Sequence, residues 1–186
     1  MTDLDQDMKK TVAELRDAMQ EEHLREYDED SPQELRPPAT DEQIRKLAKR
    51  FGGRIPPSYE AFLRLHNGWM SFSGNAMLLP ADEHDEPWVA ERLAWFRKLL
   101  ADDNEDDILD DSVVVMLGPD EPDFVVIDLS ERSDDGECEV VHFDLKDGEL
   151  SRSDDFVEFL EDTLAAVNEE EDENDEGEQD KDDDED

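Results

Sequence analysis

Cysteine is nearly absent from this sequence, since Cys138 is the single one. One cysteine excludes a disulfide framework within the chain and a zinc site built from cysteine ligands. The sequence also lacks any apolar run of about 18 residues, the length that a membrane-spanning helix needs. Residues 1–8 carry acids where a signal peptide requires bases. We therefore expect a cytoplasmic protein.

Basic residues are scarce as well. The chain has 18 Lys and Arg against 58 Asp and Glu, a net charge of −40. Residues 168–186 hold 14 acids and one base, so the other 167 residues carry 44 acids and 17 bases. Such a chain is a poor ligand for nucleic acid or anionic membranes, whose phosphates bind cations. Its natural partners are cationic surfaces, unless the charge serves only solubility at high ionic strength and indicates no partner.

Motifs for catalysis and cofactor binding are missing too. There is no Gly-x-Gly-x-x-Gly, no phosphate loop and no Gly-x-Ser-x-Gly. The acidic run 102–111 fails as a calcium loop, because the places for Gly and for the bidentate Glu hold Asp107 and Val113, or Ile108 and Val114 in the next frame. The four histidines, His23, His66, His84 and His142, are scattered. No catalytic residue, cofactor or metal site is predicted.

The N-terminal region reads as a helix over residues 1–27. Its apolar stripe is Leu4, Met8, Val12, Leu15 and Met19. The stripe is narrow, and it leaves three alternatives for this helix: it docks on its own domain, it pairs with another chain, or it stays partly frayed. Residues 28–39 contain Pro32, Pro37 and Pro38 and predict an extended linker.

The next segment predicts two capped helices. Thr40 and Gln43 form a capping box for a helix over 41–51, which Gly52 and Gly53 end. Pro56 leads into a second helix with Ser58 as its cap. Tyr59, Phe62 and Leu63 fill the core, and Asn67 and Gly68 close the helix. The residues Thr40, Gly53, Pro56, Tyr59, Phe62, Leu63, Asn67 and Gly68 are therefore interpreted as structural.

The remaining periodicity predicts a sheet and two more helices. Strands are expected at 76–79, 112–117, 124–129, 139–145 and 149–152, and helices at 86–101 and from the cap Ser153-Asp154-Asp155 onward. From Asn168 the chain predicts a disordered acidic tail. The fold class is α+β, an antiparallel sheet of about four to six strands with helices packed on one face.

Three segments together, 38–44, 51–63 and 65–68, resemble the signature of the SUKH superfamily, the Smi/Knr-like domains. The signature is a capped helix, a Gly–hydrophobic–Pro turn, a Tyr-x-x-Phe-Leu helix and an Asn-Gly end. The resemblance spans about residues 38–166 and divides the chain into an N-terminal helix and linker (1–37), the domain (38–167) and the tail (168–186). Ile55 stands where Leu is commoner, and the acidic insert and tail are additions.

The resemblance implies a non-enzymatic protein-binding domain, a monomer or weak dimer. Many bacterial members of the family are immunity proteins that neutralise toxins, often nucleases, and nucleases are commonly basic. The alternative is a regulatory or scaffolding module, as in cell-wall or stress regulation. A third hypothesis is an enzyme that uses clustered carboxylates. The candidate partner-binding residues lie in the acidic loops: Asp102, Asp103, Asp106, Asp107, Asp110, Asp134 and Asp135.

Overall fold

The structure is a computed structural model that describes residues 2–27, 33–102 and 108–179. Its helices are α1 (Asp3–Tyr27), α2 (Asp41–Leu47), α3 (Pro57–Leu65), α4 (Pro87–Asp102) and α5 (Phe156–Gln179). Its strands are β1 (Glu34–Leu35), β2 (Trp69–Ser73), β3 (Ala76–Leu78), β4 (Ser112–Leu117), β5 (Asp123–Asp128), β6 (Val140–Asp144) and β7 (Gly148–Ser153).

The strands form one antiparallel sheet in chain order, from β1 to β7. The α+β class is confirmed, with seven strands among the described residues in place of the expected four to six. The strands that the sequence does not predict are β1 and β2. The first is only two residues long, and in the second a bulge at Ser71, with φ +53°, breaks the alternation of apolar and polar side chains.

Helices cover both faces of the sheet, which corrects the expected one-sided packing. Side chains of α1, α2, α3 and α5 share one core with Val113 and Val115 of β4. Helix α4 packs on the opposite face, where Phe96 contacts Phe124 with ring centroids 4.7 Å apart. The physical reason is visible in β4, whose apolar residues follow one another without alternation, as in strands buried on both faces.

Helix α1 docks on its own domain, one of the three alternatives that the stripe allows. Met8, Val12, Leu15 and Met19 are buried in the core shared with α3 and α5. The N-terminal helix is therefore part of the hydrophobic core.

Helix α2 begins at the predicted capping box. The backbone N–H of Gln43 donates to Oγ1 of Thr40 at 3.3 Å, and the N–H of Thr40 donates to Oε1 of Gln43 at 2.8 Å. The helix ends at Leu47, earlier than predicted, and further turns bring Phe51 into the core. Gly53 then adopts φ +106°, a conformation that favours glycine.

Ser58 does not cap α3, contrary to the prediction. Pro56 is the residue at the N-cap, and Pro57 opens the helix with a φ already suited to it. Ser58 is instead fully buried and hydrogen-bonds to Glu137, which lies far along the chain. Burial raises the pKa of Tyr59, whose hydroxyl has no hydrogen-bond partner among the described residues.

Asn67 and Gly68 turn the chain from α3 into β2. Oδ1 of Asn67 accepts from the N–H of Ala81 at 2.8 Å, and Nδ2 donates to Asp82. Gly68 has φ +96°, and a Cβ on it would lie 2.8 Å from the carbonyl oxygen of Leu78. Only glycine fits this close approach.

Helix α5 begins after Asp155, whose Oδ1 accepts the N–H groups of Val157 and Glu158. Its backbone is helical to Gln179, past the point where the tail is expected to begin. Residues 180–186 lie outside the described residues, so the tail as a separate disordered unit stays a prediction.

Candidate functional site

A cleft of about 740 Å³ lies between the helix pair α1 and α5 and one end of the sheet. It is open along one side, so a partner has access to it. Its lining comprises Met19, Glu22, His23, Gln33, Ser71, Phe72, Ser73, Gly74, Asn75, Met116, His142, Ser151, Phe159, Asp162, Thr163, Ala166 and Val167. We treat this surface, called the cleft below, as the candidate binding site.

The β2–β3 hairpin forms the rim of the cleft and is held from both sides. The backbone N–H of Asn75 donates to Oε1 of Glu121 at 3.0 Å. Nε1 of Trp69 donates to Oε1 of Gln33 at 2.9 Å. Phe72 of β2 is buried between Trp69 and Phe159, at centroid distances of 5.3 and 6.1 Å. The rim is thus preorganised by packing and hydrogen bonds.

His142 lines the cleft, and its imidazole contacts Asp123 on the neighbouring strand. Nε2 of His142 lies 2.8 Å from Oδ2 of Asp123, and the two side chains are 27% and 18% exposed. The register of β5 and β6 places them near each other, because Val125, two residues after Asp123, lies opposite His142. The carboxylate fixes the orientation of the imidazole ring.

Ser151 lies opposite His142 across β6 and β7, so Ser151, His142 and Asp123 stand on three adjacent strands. A catalytic triad requires the histidine to bridge the serine and the acid. No hydrogen bond joins Ser151 to His142 within the described part of the chain. The other potential nucleophile, the thiol of Cys138, is buried, and burial raises its pKa. Among the described residues, Ser151, His142 and Asp123 therefore do not form a Ser-His-Asp triad.

The charge of the cleft is one-sided. Glu22 and Asp162 line it, and its described lining includes no lysine or arginine. Oγ of Ser153 donates to Oδ2 of Asp162 at 2.7 Å, which holds that carboxylate in place. Met19, Phe72 and Phe159 contribute apolar atoms to the wall beside these acids, while most of each side chain is buried. The cleft therefore suits a cationic side chain carried on an apolar stem.

Of the candidate residues predicted from the sequence, Asp110, Asp134 and Asp135 are described, and they lie at the other end of the sheet. Asp110 precedes β4, and Asp134 and Asp135 follow β5; all three are exposed. The two loops leave the same end, where the N–H of Leu129 donates to the carbonyl of Asp111 at 2.7 Å. Asp103, Asp106 and Asp107 lie outside the described residues, and of Asp102 only the backbone, the last residue of α4, is described.

The loop around Asp135 is mixed in charge. Oγ of Ser133 donates to Oδ1 of Asp135 at 2.6 Å, and this hydrogen bond lowers the pKa of Asp135. A Cβ on Gly136 would lie 3.1 Å from the guanidinium of Arg54, so that cation packs closely against the loop. The acidic loops are thus a less uniform anionic surface than their sequence indicates.

The cleft residues were not identifiable from the sequence alone. His142 is predicted in a strand and Phe159 on a buried helix face, but their convergence depends on strand register and on how α5 crosses the sheet. The available signal is the position of His142, which shares a sheet face with the core residue Val140 two positions earlier. His142 at this core-facing position lines the cleft, where the core is open to solvent.

Neither a metal site nor a membrane span emerges from the described parts of the chain. No group of three or more His, Cys, Asp or Glu side chains there is placed to hold a metal ion. No helix in those parts is both long and apolar enough to cross a membrane.

Comparison with known proteins adds the family. A search of curated proteins finds no match. The family model described as "SMI1 / KNR4 family (SUKH-1)" matches residues 38–162, which is more than half of the chain. The match covers α2 to the first turns of α5 and leaves α1 outside, although α1 completes the core. The chain therefore belongs to the SMI1/KNR4 family (SUKH-1), whose domains are protein-binding modules.

Proposed function

We propose that this chain is an immunity-type protein of the cytoplasm that neutralises a basic toxin domain, in particular a nuclease, by direct binding without catalysis. The observation that carries the proposal is the acidity of the folded part, since residues 1–167 alone hold 44 acids against 17 bases. A nuclease must hold phosphate and therefore presents cations. An acidic protein competes for that surface.

The net charge of −40 favours rapid capture of such a toxin. Complementary fields raise association rates to about 10⁸–10⁹ M⁻¹s⁻¹ at low salt, against about 10⁵–10⁶ M⁻¹s⁻¹ for neutral pairs. An immunity protein benefits from speed, because the toxin acts as soon as it is free. The rate should fall as salt screens the charges.

The cleft is the contact surface that we favour. It is concave, its rim is held by packing, and it combines Asp162 and Glu22 with apolar surface. Hot spots of protein interfaces concentrate in such pockets, where an arginine or aromatic anchor is buried. An arginine or lysine of the toxin would extend along Phe72 and Phe159 and place its charge by Asp162.

The acidic loops are the competing contact surface. They contain Asp110, Asp134 and Asp135, and the sequence adds residues 102–107. The side chains of Asp110, Asp134 and Asp135 are exposed and attract cations, but a flat, exposed charge contributes little to the lifetime of a complex. Because the loops and the cleft lie at opposite ends of the sheet, changes at one surface leave the other intact.

The test is co-expression with basic nuclease toxins, beginning with any toxin that is encoded beside this gene. The proposal expects cell survival with the intact chain and a one-to-one complex of the purified proteins. Absence of a toxin gene nearby, together with no protection against any basic nuclease toxin tried, contradicts it. A catalytic mode is excluded if protection scales with the molar ratio of the two proteins.

A regulatory or scaffolding module is the alternative, favoured by the acidic extension beyond the family match at residue 162. Removal of residues 168–186 separates the two functions. A recruiting tail loses its partner when deleted, whereas binding through the domain survives. Deletion of residues 1–36 cannot distinguish the two functions, because α1 contributes Leu15 and its neighbours to the core and its loss would disturb the fold.

A further inference from the structure

Helix α4 exposes a surface that differs from the rest of this acidic chain. Residues 88–100 contain three bases and a single acid, Glu91, whereas acids outnumber bases by 58 to 18 in the whole sequence. Trp95 of this helix is 43% exposed, and the guanidinium carbon of Arg92 lies 4.3 Å from the centroid of its ring. This stacking holds the indole in place. An exposed tryptophan beside an arginine is typical of the anchors of protein interfaces.

The charged residues of this surface repeat at helical spacing. Glu91, Ala94 and Lys98 are exposed and follow one another after three and four residues, which places them in one row along α4. Glu91 and Lys98 are about 10 Å apart along the axis, because a helix rises by about 1.5 Å per residue. Within the described part of the chain, neither side chain has a hydrogen-bond or ion-pair partner. Both charges are therefore available to a second molecule.

The row is complementary to itself in the antiparallel direction. When a second α4 lies antiparallel, with the centre of the contact between Ala94 and Trp95, Glu91 of each helix faces the partner's Lys98. The small side chain of Ala94 at the crossing allows the two helices to approach closely. In a parallel pair the same residues would face their own copies, so the charges select the antiparallel orientation.

We propose that the chain forms a weak, twofold-symmetric homodimer through α4, in which each Glu91 pairs with the partner's Lys98 and both Trp95 side chains become buried. A twofold interface brings the same patch of both chains together, so each contact occurs twice. One helix pair buries less than the standard interface of about 1,600 Å², which makes the dimer weak. Both clefts stay open, because α1 and α5 pack on the other face of the sheet. The dimer is independent of the proposed toxin binding.

The net charge of −40 opposes the dimer at low salt. Repulsion between two copies extends over about 30 Å at 0.01 M salt and over about 8 Å at 0.15 M. Sedimentation equilibrium of the full chain at about 0.15 M salt should therefore show a monomer–dimer equilibrium with a Kd below about 1 mM, and the Kd should be at least about threefold higher at 0.01 M. A monomer at about 1 mM protein, or a dimer that weakens as salt rises over this range, would overturn the proposal.

Two charge reversals identify the interface. Glu91→Lys and Lys98→Glu each leave one sign of charge at both positions, so like charges face each other across the twofold axis. Each variant alone should dimerise at least about tenfold more weakly than the unchanged chain. An equimolar mixture of the two variants should form a heterodimer, because opposite charges then face each other at both contacts. Native mass spectrometry separates the heterodimer from both homodimers.

The matched controls are Glu131→Lys and Lys9→Glu, which make the same changes of charge at exposed positions outside α4. Each should leave the Kd of the dimer within about twofold. Circular dichroism checks that every variant is folded. Unchanged dimerisation of folded Glu91→Lys or Lys98→Glu, or a mixture of the two that forms no heterodimer, would contradict the pairing across α4.

Discussion

The carboxylate of Glu137 accepts two hydrogen bonds from Ser58, one from its backbone N–H at 2.8 Å and one from its Oγ at 2.7 Å. Oγ of Ser58 also accepts the buried N–H of Phe156 at 3.1 Å. One buried serine thereby ties together α3, the loop before β6 and the start of α5. The family signature around Ser58 is joined by this contact to segments that lie far along the chain.

Ser58→Ala should destabilise the fold by about 1–3 kcal/mol, because the change leaves the N–H of Phe156 buried without a partner. Urea unfolding gives the free energy directly. Ser151→Ala, at an exposed serine, is the matched control and should change stability by less than about 0.5 kcal/mol. Equal effects of the two changes would mean that Ser58 has no structural role.

Gly68→Ala should cost about 1–3 kcal/mol or more, since φ +96° is strained for alanine and the new Cβ would meet the Leu78 carbonyl oxygen at 2.8 Å. Gly52→Ala is the control for backbone strain alone. Gly52 has φ +68°, and a Cβ added there would have no neighbour within 4 Å. In thermal or urea unfolding, the Gly68→Ala variant should be much less stable than the Gly52→Ala variant. The reverse order of stability would contradict the close approach of Gly68 to the Leu78 carbonyl oxygen.

Leu15→Ala should destabilise the domain by about 2–5 kcal/mol, because Leu15 is fully buried between α1 and the rest of the core. Leu24→Ala, on the same helix, removes a side chain of which 48% is exposed and should cost less than about 0.5 kcal/mol. Urea denaturation of both variants measures the difference. A small effect of Leu15→Ala would indicate that α1 is a detachable extension.

Asp85 should make the stability sensitive to acid. Hydrogen bonds from Lys46 and then Arg50 lower the pKa of Asp85 from 3.8 to about 2. A lowered pKa means that the folded state binds fewer protons, so the contribution is complete above pH 3.8 and is lost as the pH falls toward about 2. Because Asp85, Lys46 and Arg50 are exposed, their interaction should contribute about 0.2–1 kcal/mol to the free energy of unfolding.

The measurement for Asp85 is the free energy of unfolding of the intact chain minus that of Asp85→Asn, followed from pH 6 down to about pH 2. The difference in the free energy of unfolding should stay constant as the pH first falls from 6, and it should vanish as the pH approaches about 2. Molar salt should shrink it, because exposed ion pairs are screened. A difference that grows toward low pH would show that the sign is wrong.

Local signals made much of the fold predictable. The Thr40–Gln43 capping box, the spacing of Tyr59 and Phe62, and the short apolar runs of β5 and β6 depend on neighbours within a few residues. They indicated helices and strands at nearly the observed places. Strand β2 was missed because a bulge at Ser71 interrupts its alternation.

Contacts between distant segments could not be predicted in the same way. Ser58 has the side chain of a helix cap, but its partner Glu137 is 79 residues away. His84 stands in an acidic stretch and is nevertheless buried, because the fold brings Arg50 and β4 around it. The placement of α4 on the second sheet face follows from tertiary packing.

The most direct test of the proposed function compares Asp162→Asn in the cleft with Asp134→Asn in the acidic loop, using a purified basic nuclease-toxin domain. Both changes remove one negative charge, so they have the same effect on net charge. The asparagine introduced by Asp162→Asn retains an oxygen that can accept from Ser153. Stopped-flow mixing at increasing salt gives association and dissociation rates.

The account predicts a complex whose association slows as salt rises, and a dissociation constant raised at least about tenfold by Asp162→Asn and by less than about twofold by Asp134→Asn. A larger increase of the dissociation constant by Asp134→Asn than by Asp162→Asn would indicate that the toxin binds the acidic loops. A complex that forms at the same rate at all salt concentrations, or no complex at all, would contradict the claim that this acidic domain neutralises a basic toxin by contact.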